Sequence, residues 1–204
     1  ALDSSIRESL RDLVIDIADE FDITTLFVTH DLEEAFIFGR EIVLVNKGKV
    51  LEYGPKEQVY YRPNFAETAS LLGFINIWPI ASQKDNIVTT EFGTELSCRG
   101  KFDPSASFCC IRPENIMFLR EDRPFKEAIK KNILPGVISS IHNRGHYMNV
   151  EMVTPEGMIL SINIPEHAFN HMKLEKDKFC KVSLKEESII LCRTLSEGNI
   201  VIER

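Results

Sequence analysis

The chain has 204 residues, 44% of them hydrophobic and 27% charged, with a formal net charge of −7. This is the make-up of a soluble globular protein with room for one large domain or two small ones. The acidic balance argues against nucleic acid as a partner, no apolar run approaches the ~18 residues of a membrane span, and the opening ALDSSIRESL lacks the basic start and apolar block of a signal peptide.

From Asp3 to Phe21 the apolar residues Ile6, Leu10, Leu13, Val14, Ile17 and Phe21 recur at spacings of three and four, which predicts an amphipathic helix. The next run, ITTLFVTH, is β-branched and almost uniformly apolar, and reads as a strand buried on both faces, as in a parallel sheet. Asp31 then offers a cap for a short helix, LEEAFIFG, that ends at Gly39. EIVLVNKGKVLEYG predicts two strands joined at the turn NKGK. Pro55 opens a helix, PKEQVYYR, that Pro63 closes, and ETASLLG predicts another short helix. The order helix, buried strand, helix, hairpin, helix is that of the closing portion of an α/β domain.

After Phe74 the texture changes. Short alternating segments such as NIVTTEF, SFCCIRP, PGVISSIHN, YMNVEMV, MILSINIP and KVSLKE are punctuated by Gly, Pro, Asn and Asp. They predict an all-β barrel or sandwich. Within it RPFKEAIKKN reads as a charged loop and EHAFNHMKL as one short helix. The five cysteines, Cys98, Cys109, Cys110, Cys180 and Cys192, have no CxxC spacing and read as free thiols in a reducing cytoplasm, with Cys109 and Cys110 on opposite faces of a strand. HNRGH, from His142 to His146, reads as an exposed hairpin tip, although its two histidines and Arg144 also suit an anion or a partner. Arg112 and Glu114 read as structural or interdomain residues, and Tyr60, Tyr61 and Trp78 as packing residues.

The first third resembles the end of an ATP-binding cassette (ABC) ATPase. The residues that carry the resemblance are Ala1, Leu2 and Asp3 before an amphipathic helix, TLFVTHDLEEA, and the closing EIVLVNKGKVLEYGPKEQVYYRP. It implies that Ala1, Leu2 and Asp3 are the D-loop at a nucleotide and dimer interface, and that His30 is the switch histidine. The physics agrees, because an imidazole at the carboxyl end of a parallel strand sits where open α/β sheets bind nucleotides and can donate to a γ-phosphate or hold the attacking water. A histidine at a strand end without that context more often has no catalytic role. There is no GxxxxGK[ST], no LSGGQ-like signature and no Walker B aspartate in the chain. It is therefore expected to be a fragment that neither binds ATP tightly nor hydrolyses it. ATP and Mg2+ are expected only in the intact protein.

FCCIRPENIMFL, KKNILPGVISSIHNRGHYMNVEMV and FCKVSLKEESIILC resemble the transport-associated OB-like (TOBE) domain that follows many importer ATPases. NILPG and SLKEESI look most like the molybdate and sulfate importers, whose domains are similar to small molybdate-binding proteins. The resemblance implies an oxyanion site at Lys131, Asn132 and Lys185. The serine and arginine of that family's Ser-x-Arg-Asn segment are replaced, since the chain reads Ile129-Lys130-Lys131-Asn132. A lysine offers a point charge in place of the bidentate fork. From the residues alone, Lys131 and Lys185 are solvated charges and Asn132 starts a turn.

The expected architecture is thus an α/β fragment over residues 1–74, the end of an ABC ATPase domain, followed by an OB-like regulatory barrel over residues 75–204. The expected role is in a molybdate, tungstate or sulfate importer. The partners would be a second copy of the chain and integral membrane permease subunits, with no nucleic acid. The location would be the cytoplasmic face of the membrane. The competing reading is a free-standing oxyanion-binding or dimerising module without energy coupling.

Overall fold

The structure is a computed structural model that describes residues 4–99, 103–120 and 131–195. Two layers of antiparallel sheet form the body. Before them comes helix α1 (Ser4–Glu20), α2 (Leu32–Phe38), the hairpin β1 (Glu41–Asn46) and β2 (Lys49–Pro55), and two short helices, α3 (Lys56–Tyr61) and α4 (Ala66–Leu71). The hairpin turns on Lys47 and Gly48, both at positive φ (48° and 73°), the two-residue arrangement whose twist matches the flanking strands. Asp31 caps α2 as expected, its carboxylate accepting from Glu33 N at 2.8 Å.

The strand expected over ITTLFVTH is not formed. Residues 23–29 belong to no helix or strand, and Leu26 and Val28 are 88% and 87% exposed. A strand buried in a parallel sheet takes its backbone hydrogen bonds from its neighbours. Among the described residues no strand lies beside this one. Along α1, Leu10, Leu13 and Ile17 are likewise exposed, as is Phe21 just after it. The segment is held to α2 by Phe27 stacked on Phe38 at 4.4 Å, and α1 by Asp19 paired with Arg40 at 3.1 Å.

The β-rich remainder follows the alternation of the sequence. One five-stranded sheet runs β10-β9-β8-β11-β7 and another runs β12-β6-β3-β4-β5. The first contains β7 (Ile116–Phe118), β8 (Ile133–Asn143), β9 (Tyr147–Val153), β10 (Ile159–Pro165) and β11 (Phe179–Leu184); the second contains β3 (Asn76–Lys84), β4 (Ile87–Thr90), β5 (Glu95–Ser97), β6 (Phe108–Ile111) and β12 (Ile190–Cys192). Their inner faces share one core that includes Trp78, Leu96, Ile111, Met152, Leu160 and Leu184. Gly136 on β8 is packed so tightly against this core that a Cβ would lie 2.8 Å from Met152 Cγ. The short helix α5 (Glu166–Met172) closes a smaller cluster around Ile138, Val150, Ile164 and Leu174.

Side chains fasten the two seams between the sheets. Asn76 on β3 accepts from Ser161 N at 2.7 Å and donates to Ser161 O at 2.8 Å, so its amide stands in for a peptide group beside the edge strand β10. At the other seam Asn132 does the same to Ser97 on β5, at 2.6 and 2.8 Å, and also donates to Leu184 O at 3.1 Å. The resulting shape is barrel-like.

β6 is buried on both faces. Cys109 and Ile111 point into the barrel, while Cys110 points outward with Cys192 into a second core made by Ile42, Val59, Ala69, Leu72 and Phe74. Here the hairpin and helices pack against the barrel. Arg112 locks the junction: its guanidinium lies between the rings of Tyr60 and Phe74, 4.2 and 4.3 Å from their centroids, and donates to Tyr60 O at 2.9 Å. This fits the structural or interdomain role expected for Arg112 and the packing role expected for Tyr60.

Candidate functional site

Ala1, Leu2 and Asp3, expected to be a D-loop, lie outside the described residues, as do Ile129, Lys130 and the charged residues before them. His30 is exposed just after the segment 23–29, one residue before α2's cap. Its backbone is set by the residues on either side. Thr29 Oγ1 donates to Glu34 at 2.6 Å and accepts from Asp31 N at 3.0 Å, which fixes the turn that presents the imidazole to solvent.

Of the three residues matched to an oxyanion site, Lys131 and Asn132 lie at one seam of the barrel, and Lys185 follows Leu184, whose carbonyl accepts from the Asn132 amide. Asn132 adopts a left-handed backbone (φ 55°), a conformation asparagine tolerates, immediately before β8. Its amide is fully committed to Ser97 and Leu184. Lys131 Nζ contacts Glu186 at 3.0 Å, and the hydroxyl of Ser97 donates to that same carboxylate oxygen. The hydrogen bond from Ser97, and then that from Lys131, hold the Glu186 carboxyl below its usual range. Lys185 is half-buried and precedes the one-turn 3-10 segment Glu186–Ser188, its backbone carbonyl accepting from Ser188 N at 3.0 Å.

An ammonium and a hydroxyl converge on one carboxylate, and both are donors that a tetrahedral oxyanion uses as well. The contacts of Glu186 and Ser97 were not expected from the sequence. The adjacency of Glu186 to Lys185 was visible there, but nothing local connects Ser97 on β5 to a residue 89 positions later.

The remaining motifs are structural. His142–His146 forms an exposed β8–β9 tip, with Arg144 N donating to Tyr147 O at 2.9 Å. Trp78 is buried and donates to Ile159 O at 3.1 Å across the seam. All five cysteines are reduced. Among the described residues no cluster of three or more His, Cys, Asp or Glu side chains is placed to hold a metal, and no helix is long and apolar enough to cross a membrane.

No protein-family profile matches the chain. It is 32% identical over 183 residues to the Fe(3+) ions import ATP-binding protein FbpC of Pasteurella multocida, covering 85% of this chain and 52% of that one. It is 28% identical over 178 residues to the sulfate/thiosulfate import ATP-binding protein CysA of Synechococcus elongatus, covering 87% of this chain and 46% of that one. Against CysA of Bacillus cereus the identity is 27% over 194 residues, 94% of this chain and 52% of the relative. The chain thus spans about half the length of the curated relatives it matches. Among solved structures, the cytoplasmic molybdate-binding protein ModG with molybdate bound aligns at a TM-score of 0.49 and 12% identity, over 59% of this chain and 96% of that one. Over most of its length, then, the chain is similar to part of the ATP-binding subunits of ABC importers.

Proposed function

We propose that the chain is the C-terminal part of the ATP-hydrolysing subunit of an ABC importer. Residues 1–74 would close the nucleotide domain, and residues 75–204 would form an OB-like regulatory barrel of the TOBE type. The observation that carries this reading is that one continuous similarity to import ATP-binding proteins runs through both halves, 85% of the chain in one case. In that setting Ala1, Leu2 and Asp3 belong to the interface between two copies of the subunit and His30 to the nucleotide site.

The residues present fit only the edge of a nucleotide site. They offer one exposed imidazole at a fixed turn and no phosphate loop, so the grip on ATP and Mg2+ belongs to residues outside this sequence. The exposed apolar faces of α1 and of the segment 23–29 agree with burial against further protein. Membrane permease subunits would be the partners, on the cytoplasmic side.

For the cargo we favour an oxyanion such as molybdate, tungstate or sulfate. Two of the relatives are named for sulfate and thiosulfate import. At one seam Lys131 pairs with the carboxylate of Glu186, with Asn132 beside it and Lys185 adjacent in sequence to Glu186. The test is the protein encoded by the complete gene. A phosphate-loop motif upstream of Ala1, nucleotide hydrolysis by the intact protein, and loss of that hydrolysis in His30→Ala support the reading. An intact protein without nucleotide hydrolysis overturns it.

A further inference from the structure

On the outer face of the first sheet, register places Phe179, Val137, Val153 and Ile159 in one row across β11, β8, β9 and β10. Side chains directly opposite one another in a sheet form a continuous ridge. Phe179 is 60% exposed, Ile159 57% and Val137 42%, with Val153 half-buried between them. Alternation explains why these positions face outward, because Cys180, Ile138, Met152 and Leu160 next to them fill the interior. A row of four apolar side chains on a solvated sheet face is the start of an interface.

The charges beside the ridge determine what fits it. Lys181 lies two residues beyond Phe179 on the same face, exposed, opposite Pro135. The β9–β10 turn, Thr154–Met158, carries exposed Glu156 and extends past the Val153–Ile159 pair toward that same end of the strands. A cation thus stands at the β11 side of the ridge and an anion at the β10 side. A two-fold axis parallel to the strands, running between β8 and β9, exchanges the two sides. It lays Phe179 on the second copy's Ile159, Val137 on its Val153, and Lys181 on its Glu156, with each contact made twice. Glu151, the other acid of this face, is turned toward Ser140, whose hydroxyl donates to it at 2.8 Å.

We infer that two copies of this chain associate through the outer face of β11-β8-β9-β10, with Lys181 and Glu156 setting the register. The inference names the face for the subunit pairing proposed above, but it rests on the barrel alone. Sedimentation of the 204-residue chain tests it. The wild-type chain is expected to be a dimer at micromolar concentration and Phe179→Glu a monomer with unchanged circular dichroism. Lys181→Glu and Glu156→Lys should each weaken association about tenfold, and the double variant should restore it. A wild-type dimer that Phe179→Glu leaves intact overturns the face and leaves subunit pairing standing. A wild-type chain monomeric at all concentrations overturns the inference, while nucleotide hydrolysis by the intact protein still decides the family reading.

Discussion

Asn132 pairs with Ser97 as a strand residue would, through its side chain: Oδ1 accepts from Ser97 N at 2.6 Å and Nδ2 donates to Ser97 O at 2.8 Å. β5 ends at Ser97, so this amide completes a ladder that the backbone leaves unfinished. Asn132→Gly keeps the left-handed backbone and removes three hydrogen bonds. It is expected to cost about 2–3 kcal/mol in urea unfolding, more than a turn residue without partners. Asn132→Asp is expected to fall between, because a carboxylate still accepts from Ser97 N but cannot donate to Ser97 O or Leu184 O.

Removing the charge of Glu186 should open the anion position between Lys131 and Ser97. In Glu186→Gln, calorimetry at low salt is expected to show tighter binding of sulfate or molybdate than in the wild-type chain. Equal or weaker binding shows that Glu186 is not a stand-in for an oxyanion. The same variant tests linkage. The Glu186 carboxyl is held below its usual range, so it adds stability above its unfolded pKa, and that stability is lost as pH falls through the folded value. Glu186→Gln should therefore flatten the acid limb of a stability–pH profile.

Glu52 predicts the opposite slope. It is buried, and burial raises its carboxyl above the usual range despite the hydrogen bond from Asn64 N. A raised acid is stabilising below its unfolded pKa and loses that advantage as pH rises toward the folded one. Glu52→Gln should make stability less sensitive to pH just above the ordinary carboxylate range, as measured by thermal melts across that window.

Arg112 should resist even a conservative replacement. Its flat guanidinium fills the space between Tyr60 and Phe74, and a lysine ammonium neither stacks on both rings nor keeps its reach to Tyr60 O. Arg112→Lys is expected to lose about 2 kcal/mol of stability. Amide exchange should rise first in residues 41–74, which Arg112 ties to the barrel, and less in β8–β9.

The thiols are expected to be inert in the native protein. Burial pushes Cys98 and Cys109 up to about 12 and Cys180 to about 11, and Cys110 is raised by its contact with Cys192, Sγ to Sγ 3.5 Å. A chromogenic disulfide reagent at pH 8 should label the native chain slowly and all five cysteines at once in denaturant. Rapid native labelling of Cys110 or Cys192 would show that the second core opens.

Much of the fold could be read locally. The hairpin turn at Lys47-Gly48, the Asp31 cap and the alternation of β8 to β10 each depend on neighbours in sequence, and each is found where expected. The segment Ile23–His30 differs because an apolar β-branched run states a preference for burial, and a strand exists only when another strand lies beside it. The site was half legible. Lys131 and Asn132 are neighbours in sequence, but Glu186 on Lys131 and Ser97 on Asn132 join positions far apart in the chain, which no periodicity reveals.

With Asn76 and Trp78 at one join and Asn132 and Ser97 at the other, each lateral margin of the β shell is fastened by a few short hooks instead of a full zip. Such a shell parts along its margins before it yields anywhere else.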